Sequence, residues 1–128
     1  APALPIVPFC IGDATKVPFY RGKGLGTASV STEAGDASPP IYVESETLIN
    51  ILKNQNITKI DALKIDIEGF EDRALFPFFD EAPKSLWPTC IVIEPNSTSW
   101  EKDILSRLET LGYVRTGKTR GNVILNRA

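Results

Sequence analysis

The densest run of residues able to do chemistry is Asp61-Ala62-Leu63-Lys64-Ile65-Asp66-Ile67-Glu68-Gly69. A strand over residues 60–67, with its period of two, sets Lys64, Asp66 and Glu68 on one side and Leu63, Ile65 and Ile67 on the other. A strand covered by helices on both faces reads as a continuous apolar run, so two carboxylates and an ammonium group near its carboxyl end break that pattern. Ligand crevices of open α/β sheets lie just beyond such ends. A carboxylate there can orient or deprotonate a hydroxyl, and a neighbouring lysine favours its ionised form. The plainer reading has Glu68, Glu71 and Asp72 offsetting the dipole of the next helix, with Lys64 neutralising Asp66. Glu94 closes the next apolar strand, over 89–93, before the turn Pro95-Asn96-Ser97, and is expected at the same crevice unless it is a simple exit to solvent. Asp13, after Gly12, is a further acid at a strand end, although Gly-Asp is a common turn pair. Oxygen ligands from Asp66, Glu68 and Glu94 would also suit a hard divalent ion.

The composition removes other chemistries. The chain has no His, which excludes a Ser/His/Asp triad, a Cys/His dyad and every His-containing zinc site. Cys10 and Cys90 each stand in an apolar run and read as small buried hydrophobes. Gly112-Tyr113-Val114-Arg115-Thr116-Gly117-Lys118-Thr119 spells a phosphate loop, but a working one follows a strand and opens a helix, whereas here Gly112 ends a helix and strand-like sequence follows. Gly22-Lys23-Gly24-Leu25-Gly26 lacks the third glycine of a dinucleotide loop and precedes no helix. Fourteen basic against 16 acidic residues give a net charge of -2, which argues against nucleic acid as a partner. No apolar run approaches the roughly 18 residues of a membrane helix. The first residues lack the features of a signal peptide, so the expected context is cytoplasmic with no membrane partner.

One domain of 128 residues must position these groups. Short strands are expected over 6–11 and 41–43, with an excursion of hairpins and loop over 16–40 between them. Ser45 is the expected cap of a helix burying Leu48, Ile49 and Leu52 and ending near 54–56. The strand over 60–67 leads through Gly69 into a helix from Phe70 to Phe76, which Pro77 should close or replace with a second short one. After the strand over 89–93, Thr98 with Glu101 reads as a capping box for a helix carrying Trp100, Ile104, Leu105, Leu108 and Leu111. Gly112 supplies its C-cap, and a hairpin turning at 117–121 ends the chain. Strands alternating with helices imply an α/β sheet, mainly parallel, with an antiparallel last strand.

Lys64-Ile65-Asp66-Ile67-Glu68-Gly69 resembles the central strand of the FkbM-type methyltransferases, which carries Lys-Ile-Asp-hydrophobic-Glu-Gly before an acidic helix start. The segment from Pro8 to Asp13, the Thr27-Ala28-Ser29 excursion, the Leu48 helix, Ile93-Glu94, Leu111-Gly112-Tyr113 and Asn122-Val123-Ile124 are also similar to that family, in its order. The resemblance implies a Rossmann-like class I methyltransferase sheet lacking its first two strands, so that residues 1–128 form the C-terminal portion of one methyltransferase domain. The family's Gly-x-Asn-x-Gly turn and the acid that binds the ribose would lie upstream of Ala1, and a gap would separate 6–11 from 60–67. It further implies methyl transfer from S-adenosylmethionine to a hydroxyl of a small molecule or sugar. Asp66, Glu68, Lys64 and Glu94 would then be catalytic, and Cys10, Ile11, Asp13 and Asp66 would lie against the cofactor. The fragment alone is expected to be inactive and to form homo-oligomers through its incomplete sheet. A noncatalytic interaction module and a divalent-metal enzyme are the alternatives.

Overall fold

The computed structural model describes residues 4, 6, 10–12, 16–19, 39–95 and 98–128. Asp13, the Gly22 to Gly26 run, the expected strand over 27–31 and the Asn96-Ser97 turn lie outside them. The order is β1 (Cys10–Ile11), β2 (Lys16–Phe19), β3 (Ile41–Glu46), α1 (Leu48–Asn54), β4 (Ala62–Ile65), α2 (Glu71–Glu81), a short 3-10 turn (Lys84–Leu86), β5 (Cys90–Ile93), α3 (Ile104–Thr110), β6 (Tyr113–Lys118) and β7 (Val123–Arg127). The chain is thus a mixed α/β protein.

The strands form two sheets. In the smaller one β3 lies between β1, which runs parallel to it, and β2, which runs antiparallel. The larger has the order β4-β5-β7-β6. β4 and β5 are parallel, and β7 is antiparallel to both β5 and β6. It follows that β4, β5 and β6 point one way and only the last strand is reversed, as the sequence implies. Among the described residues no strand pair joins β1 to β4.

Alternation along the strands decides where the core sits. Register aligns Leu63, Ile91 and Leu125 in one row and Ile65, Ile93 and Val123 in another. Ile65, Ile91, Ile93 and Leu125 are buried, whereas Ala62 and Lys64 at the intervening positions of β4 are exposed. The buried face meets Leu48 and Leu52 of α1, Leu75, Phe78 and Phe79 of α2, and Ile104 and Leu108 of α3. Phe79 makes edge-on contacts with Trp87 and Tyr113, and the Tyr113 hydroxyl donates to the carbonyl of Pro88 at 2.6 Å.

Several boundaries differ from expectation. β4 spans only Ala62–Ile65, so Ile60, Asp61, Asp66 and Ile67 lie outside the strand expected over 60–67. Ser45 is a buried residue of β3, and Thr47 caps α1, its Oγ1 accepting from the N–H of Asn50. Pro77 neither ends nor divides α2, which runs on to Glu81. A proline inside a helix costs about 3 kcal/mol. Continuing the helix buries Phe78 and Phe79, each at about 1.5–3 kcal/mol, which offsets it. Finally, Asp103, not Thr98, caps α3, accepting from the N–H and the hydroxyl of Ser106. Trp100 and Glu101 consequently precede that helix. Gly112 does follow the helix end in the left-handed region, φ +100°, as expected of a C-cap glycine.

Candidate active site

β4 and β5 are adjacent and parallel, so the residues that follow Ile65 and Ile93 leave the sheet at the same edge. Asp66 and Glu68 follow β4, and Glu94 follows β5. The three offer carboxylate oxygens within 4.8 Å of one another. Asp66 and Glu68 are exposed, and Glu94 is half-buried. The sequence therefore identifies three acids that the fold gathers at one solvent-reached place.

The turn after β4 explains how two nearby acids of one chain converge. Glu68 has φ +55° and Gly69 φ +93°, two successive residues in the left-handed region. For a side chain other than Gly, Asn or Asp this backbone is uncommon and costs roughly 1 kcal/mol or more. The reversal sends the chain directly into α2. Gly69 is required for a second reason, since a Cβ there would lie 2.5 Å from the Cβ of Ser99. The turn after β4 thus packs against the loop that follows β5.

Lys64 is exposed on β4, but no ion pair joins it to Asp66 among the described residues. Its expected role as a direct partner of Asp66 has no ion pair behind it in this structure, and β4 ends at Ile65, before Asp66. On β1, Cys10 pairs with Ser45 and Ile11 is half-buried against the core. Gly12 brings the end of β1 close to the β4–α2 turn: a Cβ on it would lie 3.0 Å from the Phe70 ring and 2.5 Å from Ser45 Oγ. Asp13 lies outside the described residues. Cys90 is a free, half-buried thiol of β5.

Sequence reasoning missed the groups that hold this arrangement together. Glu71 and Asp72, read only as dipole partners, are buried at the start of α2. Asp72 Oδ2 accepts the backbone N–H groups of Glu101 at 2.9 Å and Lys102 at 3.1 Å. Arg73 forms an ion pair with Glu101 and lies over the Phe70 ring, 4.5 Å from its centre. The available signal was the run of two acids and an arginine immediately after the Gly69 turn. The phosphate-loop spelling falls on β6, residues 113–118, and the turn after it, with no helix after Thr119 among the described residues.

Chemically, three carboxylates at one edge make a strongly negative spot suited to a hydroxyl donor, to a cationic group or to a hard metal ion. No helix among the described residues is long and apolar enough to cross a membrane. Comparison with curated proteins and with solved structures finds no match. The family model described as "Methyltransferase FkbM domain" matches residues 6–115, the greater part of the chain and all of the site. The chain therefore belongs to the FkbM methyltransferase domain family.

Proposed function

We propose that the protein transfers a methyl group from S-adenosylmethionine to a hydroxyl of a small molecule or sugar. The observation that carries this reading is the convergence of Asp66, Glu68 and Glu94 at the carboxyl ends of two parallel strands in a chain of this family. The donor set fits the cofactor, whose sulfonium and amino group are cationic and would be offset by these carboxylates. When bound, S-adenosylmethionine supplies an electrophilic methyl group. Asp66 or Glu68 would accept a hydrogen bond from the acceptor hydroxyl and take its proton as the hydroxyl oxygen bonds to the methyl carbon. The bond from sulfur to that carbon breaks, and its electron pair stays on sulfur as a neutral thioether. Glu94 lines the acceptor side and fixes the ring or chain that bears the hydroxyl. Such alignment contributes on the order of several kcal/mol before any proton moves. Lys64 acts only through its positive field, weakened by solvent screening. Cys10 and Ile11 of β1, and Asp13 outside the described residues, are assigned to the cofactor side in this reading, and Gly12 lies close to the Phe70 ring of the site.

The 128 residues contain no Gly-x-Asn-x-Gly turn. In this reading tight cofactor binding and turnover need such a turn supplied together with these residues. The test is transfer of labelled methyl from S-adenosylmethionine by a polypeptide that carries both to a panel of sugars and small hydroxylated compounds. Label in a methyl ether, lost on Asp66→Asn, supports the reading; label on nitrogen or carbon only, or no transfer with any acceptor, opposes it.

The spacing of the three acids also favours a second reading, a site for a hard divalent ion. Calorimetry with Mg²⁺ and Mn²⁺ distinguishes the two. Micromolar binding abolished by Glu94→Gln would favour the metal, and the absence of saturable binding would leave methyl transfer as the account.

A further inference from the structure

Glu94, one of the three clustered acids, also lines a cleft of about 290 Å³ together with residues of the β6–β7 turn. The turn contributes Lys118, Thr119 and Arg120 to its lining. The cleft therefore carries an acid from the end of β5 and two cations from the turn, beside the apolar side chains of Pro95 and Val123. Lys118 and Arg120 are both exposed, and neither is ion-paired among the described residues. Thr119 Oγ1 accepts a long contact from Asn122 Nδ2 at 3.5 Å, which leaves its own hydroxyl hydrogen to donate. Register fixes the span. Ile93 is paired with Val123 and Val123 with Lys118, so the end of β6 at Lys118 lies two strand spacings, roughly 10 Å, from the end of β5 that precedes Glu94.

We infer that this cleft selects an acceptor that carries a phosphate monoester at one end and the reacting hydroxyl at the other, a phosphorylated sugar or a molecule of similar reach. The inference rests on the methyl-transfer reading for the fate of the hydroxyl, and on the cleft alone for the phosphate. Two adjacent cations match the charge of a phosphate dianion, whereas a single carboxylate would leave one unpaired. Arginine adds a planar fork that fits phosphate oxygens, and lysine adds a compact point charge. Repulsion by Glu94, Asp66 and Glu68 keeps the phosphate from entering the other way round. Hydroxyl groups are the part of such a molecule that carboxylates accept. One ligand is thereby held in one orientation by the opposite charges of the same cleft. The cleft lacks the helix start of a nucleotide cradle, since β7 follows the turn among the described residues.

The experiment is an amide chemical-shift titration of the 128-residue chain with glucose 6-phosphate as probe, alongside glucose and inorganic phosphate. The expected result is saturable shifts at 117–122 and at Glu94 with glucose 6-phosphate, weaker shifts confined to the turn with inorganic phosphate, and none with glucose. Lys118→Gln with Arg120→Gln should weaken the binding at least tenfold while leaving the spectrum folded, and Lys53→Gln on α1 should leave it unchanged. The absence of saturable shifts with either phosphate, shifts that persist in the double variant, or an equal loss in Lys53→Gln would overturn the inference. No methyl donor is present, so failure here is separate from failure of methyl transfer. That outcome would leave a neutral acceptor for the same carboxylates.

Discussion

The carboxylate of Asp72, in the first turn of α2, accepts the backbone N–H of Glu101 at 2.9 Å, and in doing so ties the segment after β4 to the segment after β5. Lys102 donates to the same oxygen. Hydrogen bonds to a charged group contribute more than neutral ones, so Asp72→Ala should destabilise the fold by about 2 kcal/mol. Asp72→Asn keeps an oxygen in the same place and should lose less. Urea denaturation of both variants measures this; equal midpoints for the alanine variant and the wild type would show that the tie contributes nothing.

Gly69 should tolerate no side chain. Its φ of +93° strains any other residue, and a Cβ would collide with Ser99. Gly69→Ala is expected to cost about 2 kcal/mol or more. Adding Ser99→Gly removes the collision but not the backbone strain, so the double variant should recover only part of the loss. Full recovery would mean that crowding alone, without the left-handed conformation, selects glycine here.

Tyr113 gives the fold an alkaline limit. Its phenol is buried against Pro88, and burial pushes its pKa from 10.0 up to about 12, opposed in part by the charge of Arg127. A raised pKa favours the protonated form in the folded state. The stabilisation is therefore complete below pH 10 and is lost as pH rises from there through about 12. Tyr113→Phe should cost about 1 kcal/mol at neutral pH and show a shallower fall in stability across that alkaline window. Parallel profiles for the two proteins would contradict the assignment.

What was legible in the sequence was the part governed by local pattern. Period two in β4 separates exposed Lys64 from the core residues Leu63 and Ile65. The strand ends at Ile65, so the turn beyond it places Asp66 and Glu68, and the parallel pairing of β4 with β5 brings Glu94 to them. The parts that depend on distant contacts were not legible. Thr98 and Glu101 spell a capping box, yet the backbone of Glu101 is taken by Asp72, so α3 starts later on Asp103. The side chain of Asp103 is bonded to Ser106, which also holds its carboxyl below the usual aspartate range. Pro77 reads as a stop by local rules, and only the burial of Phe78 and Phe79 carries α2 past it. The left-handed backbone at Glu68 has no local signal in that residue type.

Edge geometry predicts how the 128-residue chain behaves alone. Among the described residues β4 pairs only with β5, and its other edge borders an apolar cleft lined by Leu48, Leu52, Ile57, Ile60 and Leu63. Unpaired strand edges beside apolar surface favour association. Light scattering should show dimers or larger species, and calorimetry should show S-adenosylmethionine binding no tighter than the millimolar range. A clean monomer that binds the cofactor at micromolar concentration would contradict both expectations.

The central claim is that the carboxylates gathered after β4 and β5 carry out the chemistry, and Asp66 is its sharpest point. The direct measurement is single-turnover methyl transfer by a polypeptide carrying these residues together with a Gly-x-Asn-x-Gly segment, compared with its Asp66→Asn variant. Loss of a positioned base removes about 10²- to 10⁴-fold in rate. The account predicts a fall of that size with a denaturation midpoint close to the wild type, because Asp66 is exposed. An unchanged rate in a folded Asp66→Asn protein would contradict it.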